Sequence, residues 1–548
     1  QGAARPNVLF IAVDDLKPLL GCYGDATIKS PNVDRLARRG VRFDRAYANQ
    51  AVCAPSRNAL MTSLRPQTLG IYDLGTNFRK ARPDAVTLTQ SFMKAGYRAE
   101  SIGKIMHRGH GNDEDAASWS VPHTMPGGNY ALPQNLEQRQ QRVREAKARG
   151  ASQREIDVLS KGPATEIADV PDNAYGDGKI ADEAIKRLQA AKTRPNQPFF
   201  LAVGFYKPHL PFVAPKKYWD LYDANSFKLA EVQTPPVGAP EFAPQFGGEL
   251  RNYDGIPDTG RLPDELQRHL IHGYHASLSF MDAQLGRVLD ALDANGLGQN
   301  TIIVLWGDHG WHLGDHGQWC KHTNYEQAAR IPLIVSAPAM KSDVGTQALV
   351  ETVDLYPTLC ELAGVPVPQG LEGVSFVPVL KDPTVAARDS IIHVYPRRDM
   401  IGRAIRTPRY RFVEWKKPGA PVDTAVFELY DYETDSLETK NLAGEKPEIM
   451  AQLKAILARH PEAKPQIKTD EIAAATSASA STAKPGPDRA AMFLRRDKNG
   501  DGQLTREEFL LGQPDPLEAP KRFPLFDTNK DGLLSKEEFI NAGKQGVR

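Results

Sequence analysis

At 548 residues, 41% of them apolar, the chain is long enough for two to four modules and a sizeable buried core. Lys and Arg number 68 against 67 Asp and Glu, and a net charge of +1 excludes bulk electrostatics as a way of coating nucleic acid or an anionic membrane. No apolar run approaches the roughly 18 residues of a bilayer span, so no membrane span is expected and any recognition of anions must be local.

From Asn7 to about Pro366, short apolar runs alternate with helical stretches, which predicts an α/β domain with a large, mostly parallel sheet. The run at 8–13 ends in Asp14 and Asp15, that at 101–103 in Lys104, that at 199–205 in Lys207-Pro208-His209, and that at 302–306 in Gly307-Asp308-His309. Ligands sit at the carboxyl edge of an open parallel sheet, so these four ends are expected to converge on one site. Between 134 and 161 Gln, Arg, Glu and Ala dominate with almost no apolar face, predicting a solvated helical insertion at the surface; a polysaccharide-contacting arm is the alternative.

Strand signals recur at 391–395, 403–406 and 410–415, closely spaced, and predict a small antiparallel subdomain closed by a helix at 448–459. Residues 473–483 are small and cannot bury a core, which marks a flexible linker. Beyond it, two stretches starting 30 residues apart fit the twelve-residue calcium loop. Their ligand positions are Asp497, Asn499, Asp501, Gln503 and Glu508, then Asp527, Asn529, Asp531, Leu533 and Glu538. The expected organisation is a catalytic α/β domain at 1–380, the antiparallel subdomain at 381–466, the linker at 467–488 and an all-α EF-hand pair at 489–548. With a single Met, Met492, the pair reads as a constitutively filled structural or docking module.

Cys22, Cys53, Cys320 and Cys360 are too few and too scattered for a disulfide scaffold or a Cys-based zinc site, although one bridge is open. The opening residues lack Met and an apolar signal core, and no Asn-x-Ser/Thr acceptor occurs, which together predict an exported bacterial protein of the periplasm or the extracellular space.

The informative segment is Ala51-Val52-Cys53-Ala54-Pro55-Ser56-Arg57. Pro55 followed by good helix formers puts Cys53 at or near a helix start, where free N–H groups favour an anion, with Arg57 one turn in. From these residues alone, Cys53 is a low-pKa nucleophile, part of an anion site, or a buried small residue.

Cys-x-Pro-Ser-Arg resembles the maturation signature of the type I sulfatases, and Asn7 to about Ala443 is similar to their iduronate-2-sulfatase branch. The matching stretches include Val13-Asp14-Asp15-Leu16-Lys17-Pro18, Lys207-Pro208-His209-Leu210-Pro211-Phe212, Asp308-His309-Gly310-Trp311, Leu313-Gly314-Asp315-His316-Gly317 and Tyr395-Pro396-Arg397. The resemblance implies an alkaline-phosphatase-like sulfatase fold and a sulfuric ester hydrolase whose Cys53 is oxidised to formylglycine by a formylglycine-generating enzyme. The hydrated aldehyde carries two hydroxyls, one to attack sulfur and one to expel the sulfate. The resemblance further implies calcium held by Asp14, Asp15, the modified Cys53, Asp308 and His309. Arg57 and Lys104 would hold the hydrate and His107 take its proton, while His209 and Lys321 would bind the sulfate ester and help protonate the leaving alcohol. His309 stands where many sulfatases have Asn. A zinc cluster of His309, His312, Asp315 and His316 is a rival that no motif supports.

Departures from the branch bear on the substrate: His322 replaces a Tyr, residues 74–79 differ, and the insertion and EF-hand tail have no counterpart. The expected substrate is a sulfated sugar, first a 2-O-sulfated uronic acid, with Arg79, His322, Arg397 and Arg398 as contacts for a carboxylate or neighbouring sulfate. The alternatives are a phosphonate or phosphate ester hydrolase of the same superfamily and a non-catalytic, calcium-dependent glycan-binding protein.

Overall fold

The computed structural model describes residues 5–467 and, beyond them, 493, 496, 497, 499, 501–510 and 519–541. Nine strands precede residue 352: β1 Asn7–Val13, β2 Val41–Tyr47, β3 Arg98–Gly103, β4 Thr165–Ala168, β5 Phe199–Phe205, β6 Phe212–Pro215, β7 Thr301–Gly307, β8 Arg330–Ser336 and β9 Val344–Glu351. Seven form one sheet in the order β3-β5-β1-β7-β8-β2-β9, while β4 and β6 pair separately. The four strands whose ends carry the polar residues, β3, β5, β1 and β7, are consecutive parallel neighbours. β8 breaks the parallel pattern, running antiparallel to both β7 and β2.

The central strands are continuous apolar runs because both faces of the sheet are covered. Side chains alternate between the faces. Leu9, Ile11, Val13, Leu201, Val203, Ile303 and Leu305 pack with the helices Gly176–Lys192 and Asp264–Ala294. Val8, Phe10, Ala12, Phe200, Ala202, Val304 and Trp306 pack on the other side with Leu60 and Met61 of the helix Cys53–Thr62 and with Leu355 and Leu359 of the helix Leu355–Ala363. Each fully buried side chain of this size contributes about 1.5–3 kcal/mol, which makes the strand register, and so the position of its polar end, hard to shift.

Four further strands, β10 Ile391–Arg397, β11 Met400–Arg406, β12 Tyr410–Lys416 and β13 Val426–Asp431, form an antiparallel meander. The helix Pro447–Leu457 closes it, with Met450, Leu453 and Leu457 packing on Ile392, Ile405, Phe412 and Leu429. This sheet belongs to the same compact unit as the large one, since the chain divides after Ile467. A buried ion pair ties the sheets together: Arg411 of β12 reaches Glu326, just before β8, at 2.7 Å, and its guanidinium also meets Glu438, after β13, at 3.1 Å.

Of the expected linker at 467–488, Ile467 is hydrogen-bonded to Gly70 O at 2.9 Å, and the rest lies outside the described residues, as do 489–492 with Met492. In the second unit, β14 Gln503–Leu504 and β15 Leu534–Ser535 pair antiparallel between the two acidic loops, so the module is not all helical. Phe493, Leu504, Phe509, Phe523, Leu534 and Phe539 form its core. Gly502 and Gly532, the sixth loop residues, take φ of +80° and +83°, a conformation glycine adopts without a Cβ penalty. No described helix is long and apolar enough to cross a membrane.

Candidate active site

The carboxyl ends of β1 and β7 place Asp14, Asp15, Asp308 and His309 side by side, with Lys104 after β3 and His209 in the loop after β5. The helix Cys53–Thr62 enters with Cys53 as its first residue and all ten residues buried. Cys53 Sγ lies 3.3 Å from His309 Nε2 and 3.5 Å from both Asp14 Oδ1 and Lys104 Nζ. One turn on, Arg57 donates through Nε to Asp308 Oδ2 at 3.0 Å, through Nη2 to Asp14 Oδ1 at 3.2 Å, and through Nη1 to the carbonyls of Lys104 and Ile105. Ser56 Oγ donates to Asp308 O at 2.5 Å. Lys104 can pass this close to β5 because residue 204 is glycine: a Cβ there would lie 2.2 Å from Lys104 O.

Asp15 has φ +58°, a conformation unfavourable for a residue with a Cβ and held by its surroundings. Its N–H donates to Asp308 Oδ1 at 3.1 Å, and Tyr274 Oη donates to its carbonyl at 2.8 Å. Two ammonium groups face the carboxylates: Lys104 pairs with Asp14 Oδ2, and Lys321 donates to Asp15 Oδ1 at 3.0 Å. Burial opposes charge on Asp14, but Lys104, His209 and Arg57 hold its carboxyl well below the usual range. Cys53 moves the other way: burial, reinforced by Asp14, pushes its thiol well up. In these surroundings burial and Asp14 favour the neutral thiol over the thiolate.

The ligand atoms of Asp14, Asp15, Cys53 and His209 lie within 4.8 Å of one another, and so do those of Asp14, Cys53, Asp308 and His309. Each group sets two carboxylates beside one thiol and one imidazole, and the carboxylate oxygens are the donors that suit a hard divalent cation such as calcium. The rival zinc ligands are engaged elsewhere: His312 Nε2 with Thr323 Oγ1 at 2.9 Å, His316 Nε2 with Leu437 O at 2.7 Å, and Asp315 with Lys17 at 3.2 Å.

The family model described as Sulfatase matches residues 6–365, that for the C-terminal region of N-sulphoglucosamine sulphohydrolase matches 314–463, and that for the EF hand matches 490–511 and 521–542. The chain belongs to the sulfatase family. The mouse iduronate 2-sulfatase is 36% identical over 396 residues, 66% of this chain and 69% of that enzyme. A protein solved with its substrate D-glucosamine-2-N,6-O-disulfate shares the fold at TM-score 0.66 and 23% identity, covering 83% of this chain and 97% of the other. The phosphonate monoester hydrolase of Silicibacter pomeroyi shares it at TM-score 0.65 and 23% identity, covering 83% and 95%. The molecule is thus a sulfatase, an enzyme that hydrolyses sulfate esters.

Beside Asp14, Lys104, His107 and His209 the sulfatase opens into a cleft of 620 Å³. The helical insertion is not merely a solvated appendage: Leu136, Arg139, Ser160 and Lys161 line this cleft together with Arg108, Tyr130 and Tyr253. His107 stacks on His110, its Nδ1 has no hydrogen-bond partner, and burial with Lys104 lowers its pKa to about 2.

None of the four expected substrate contacts lines the cleft. Arg79 is spent on Asp115 at 2.7 Å and on the carbonyls of Pro83 and Ala85. Arg397 donates to the carbonyls of Phe242, Ala243 and His322. Arg398 is exposed beside the Phe242 ring, and His322 packs toward Tyr395 with its pKa lowered to about 3 by burial and Lys321. Conversely, sequence reasoning missed Glu249, whose Oε2 accepts from Lys321 at 2.9 Å and lies 3.3 Å from His209 Nε2. It lies in a polar loop with no periodicity or motif to mark it. Lys207, named in the sequence as part of a converging strand end but given no role, orders the same region by donating to the carbonyls of His209 and Pro211, both at 2.7 Å.

Proposed function

We propose that this sulfatase removes sulfate from the end of a sulfated glycan, with a 2-O-sulfated uronic acid as its first substrate, through a formylglycine made from Cys53. The observation that carries the proposal is the meeting of Cys53 Sγ with Asp14, His309 and Lys104 at the edge of the sheet. The identity to an iduronate 2-sulfatase supports a uronic acid. Arg108, Arg139 and Lys161 in the cleft suit its carboxylate or a neighbouring sulfate, and Tyr130 and Tyr253 suit the face of a sugar ring.

Asp14, Asp15, Asp308 and His309, with an oxygen of the modified residue 53, would hold calcium, which when bound supplies the positive charge that favours an ionised nucleophile and offsets charge on sulfate. Formylglycine would supply the attacking hydroxyl through its hydrate. The chain's own residues do the rest. Arg57 and Lys104 keep Asp14 and Asp308 in place around residue 53. His107, neutral and with a free ring nitrogen, receives a proton, and His209 and Lys321 donate to the sulfate and to the leaving oxygen.

The test is the mass of the peptide containing residue 53, followed by sulfate release from 2-O- and 6-O-sulfated sugars. Conversion with release from the 2-O-sulfated uronic acid is expected; an unmodified thiol in active protein would refute the mechanism. Because a phosphonate monoester hydrolase shares the fold, the same aryl group offered as sulfate and as phosphonate monoester separates that reading, and sulfate is expected to be preferred. The proposal includes maturation by a formylglycine-generating enzyme, export to the periplasm or beyond, and calcium-filled EF-hand loops serving a structural or docking role. Cell fractionation tests the compartment.

A further inference from the structure

Glu249 brings a negative charge to the two side chains that the proposed function assigns to the sulfate ester, Lys321 at 2.9 Å and His209 at 3.3 Å. Its other oxygen lies 3.4 Å from Lys161 Nζ, whose ammonium sits 5.1 Å from the centre of the Tyr253 ring. The carboxylate is built in: it opens the short turn Glu249–Asn252, anchored by the buried Leu250 and Tyr253. The turn begins at Gly248, with φ +106°, packed against the Cys320 side chain. Burial opposes its charge, but His209, Lys321 and Lys161 hold Glu249 ionised.

Counted by side chain, Asp14, Asp15, Asp308 and Glu249 are matched by Arg57, Lys104, Lys321 and Lys161, before any charge that a bound calcium would add. Lys321 is already shared between Asp15 and Glu249. An incoming ester must therefore compete with Glu249 for the Lys321 and His209 donors and settle near its charge. A sulfate monoester carries one negative charge. A phosphate monoester of nearly the same tetrahedral shape carries two above its second pKa of about 6, and the repulsion it meets scales accordingly. Shape and hydrogen-bond donors cannot separate such esters, whereas a fixed anion can.

We infer that Glu249 sets the charge selectivity of the pocket, admitting monoanionic esters and rejecting dianionic ones. The inference rests on the assignment of His209 and Lys321 to the ester.

The test is calorimetric binding to the full chain carrying Cys53→Ala, so that neither maturation nor turnover enters, at about pH 8. Phenyl sulfate and phenyl methylphosphonate serve as monoanions and phenyl phosphate as the dianion. Replacing Glu249 by Gln is expected to tighten phenyl phosphate about ten-fold more than phenyl sulfate, with the phosphonate following the sulfate. Glu249→Ala, a second uncharged variant, should behave alike, and thermal melting identifies which of the two is folded. Equal shifts for all three ligands would overturn the inference, as would the phosphonate following the phosphate, since shape would then govern. Should Lys321→Ala and His209→Ala leave phenyl sulfate binding unchanged, the assignment of those residues fails instead.

Discussion

Arg57 and Asp308, 251 positions apart, are joined by two contacts of 3.0 and 2.9 Å with almost no solvent access to either side chain. Removing one partner of such a buried pair typically costs about 3–5 kcal/mol, because the other charge is left unpaired. Arg57→Ala is expected to lower stability by that amount and to abolish sulfate release. Arg57→Lys keeps the charge but cannot reach Asp14, Asp308 and two carbonyls together, so it should retain more stability than activity. Denaturant melts and a sulfate assay check both, and an unchanged melting midpoint for Arg57→Ala would count against the pair.

His107 should matter for rate and not for binding. With its pKa lowered to about 2 by burial and Lys104, it is neutral throughout the physiological range and a weak base, which takes a proton only in passing and hands it on. His107→Ala is expected to cut kcat by about 10²–10⁴ while phenyl sulfate affinity in the Cys53→Ala background stays within about two-fold. Since this ring does not charge on mild acidification, the acid limb of the pH–rate profile should be the same with and without it.

Acid should loosen the join between the two sheets. Burial alone would raise Glu326, but Arg406, Arg411 and Arg330 hold its pKa at about 2 against an ordinary 4.5. A carboxyl depressed in the folded state contributes stability that is complete above the unfolded pKa and is lost as pH falls from about 4.5 through 2. A shift of this size is worth on the order of 3 kcal/mol. Thermal melts across that window should slope downward, and Glu326→Gln should be less stable at neutral pH with a shallower acid slope.

The insertion's part in the cleft predicts a split between substrates. Arg139, over the Tyr130 ring, and Lys161 line the cleft. Changing both to Ala is expected to raise KM for a sulfated oligosaccharide about ten-fold while leaving a small aryl sulfate within about two-fold. Equal effects on both substrates would return the insertion to a purely structural role.

In the EF-hand unit, Glu508 and Glu538 cap their loops by accepting from Thr505 and Ser535. Glu508→Gln together with Glu538→Gln should eliminate the calcium binding of this unit in calorimetry. Chelation should expose the tail to protease, and deletion of 484–548 should leave aryl sulfate hydrolysis nearly intact. Loss of most activity on that deletion would mean the tail supports the active site.

The central site was legible because its residues end uninterrupted apolar runs, and a buried strand can only stop where polar groups find partners. Orientation was not: Arg330–Ser336 reads as one more apolar run, and nothing in its composition reveals that it lies antiparallel to β7. β13 was missed because it carries Glu428 and Asp431, which the fold satisfies with Trp415, Tyr430 and Arg409. Arg79 and Arg397 are held by other partners for a related reason. A guanidinium fork fits backbone carbonyls as well as carboxylates, and sequence cannot tell which Arg397 will meet. Glu249 belongs to a loop whose placement depends on packing far from it in sequence.

The burial of the Cys53 helix also bears on when this molecule can be made. With residue 53 and the nine that follow sealed inside the folded unit, an enzyme that oxidises the cysteine finds no peptide to grip once the sheet has closed over it. Under the proposed maturation of residue 53, conversion would then be a race against folding, won only while the chain is still emerging or held unfolded. Protein that folds first would then keep its thiol, and two batches of identical sequence would differ in activity by the fraction caught in time.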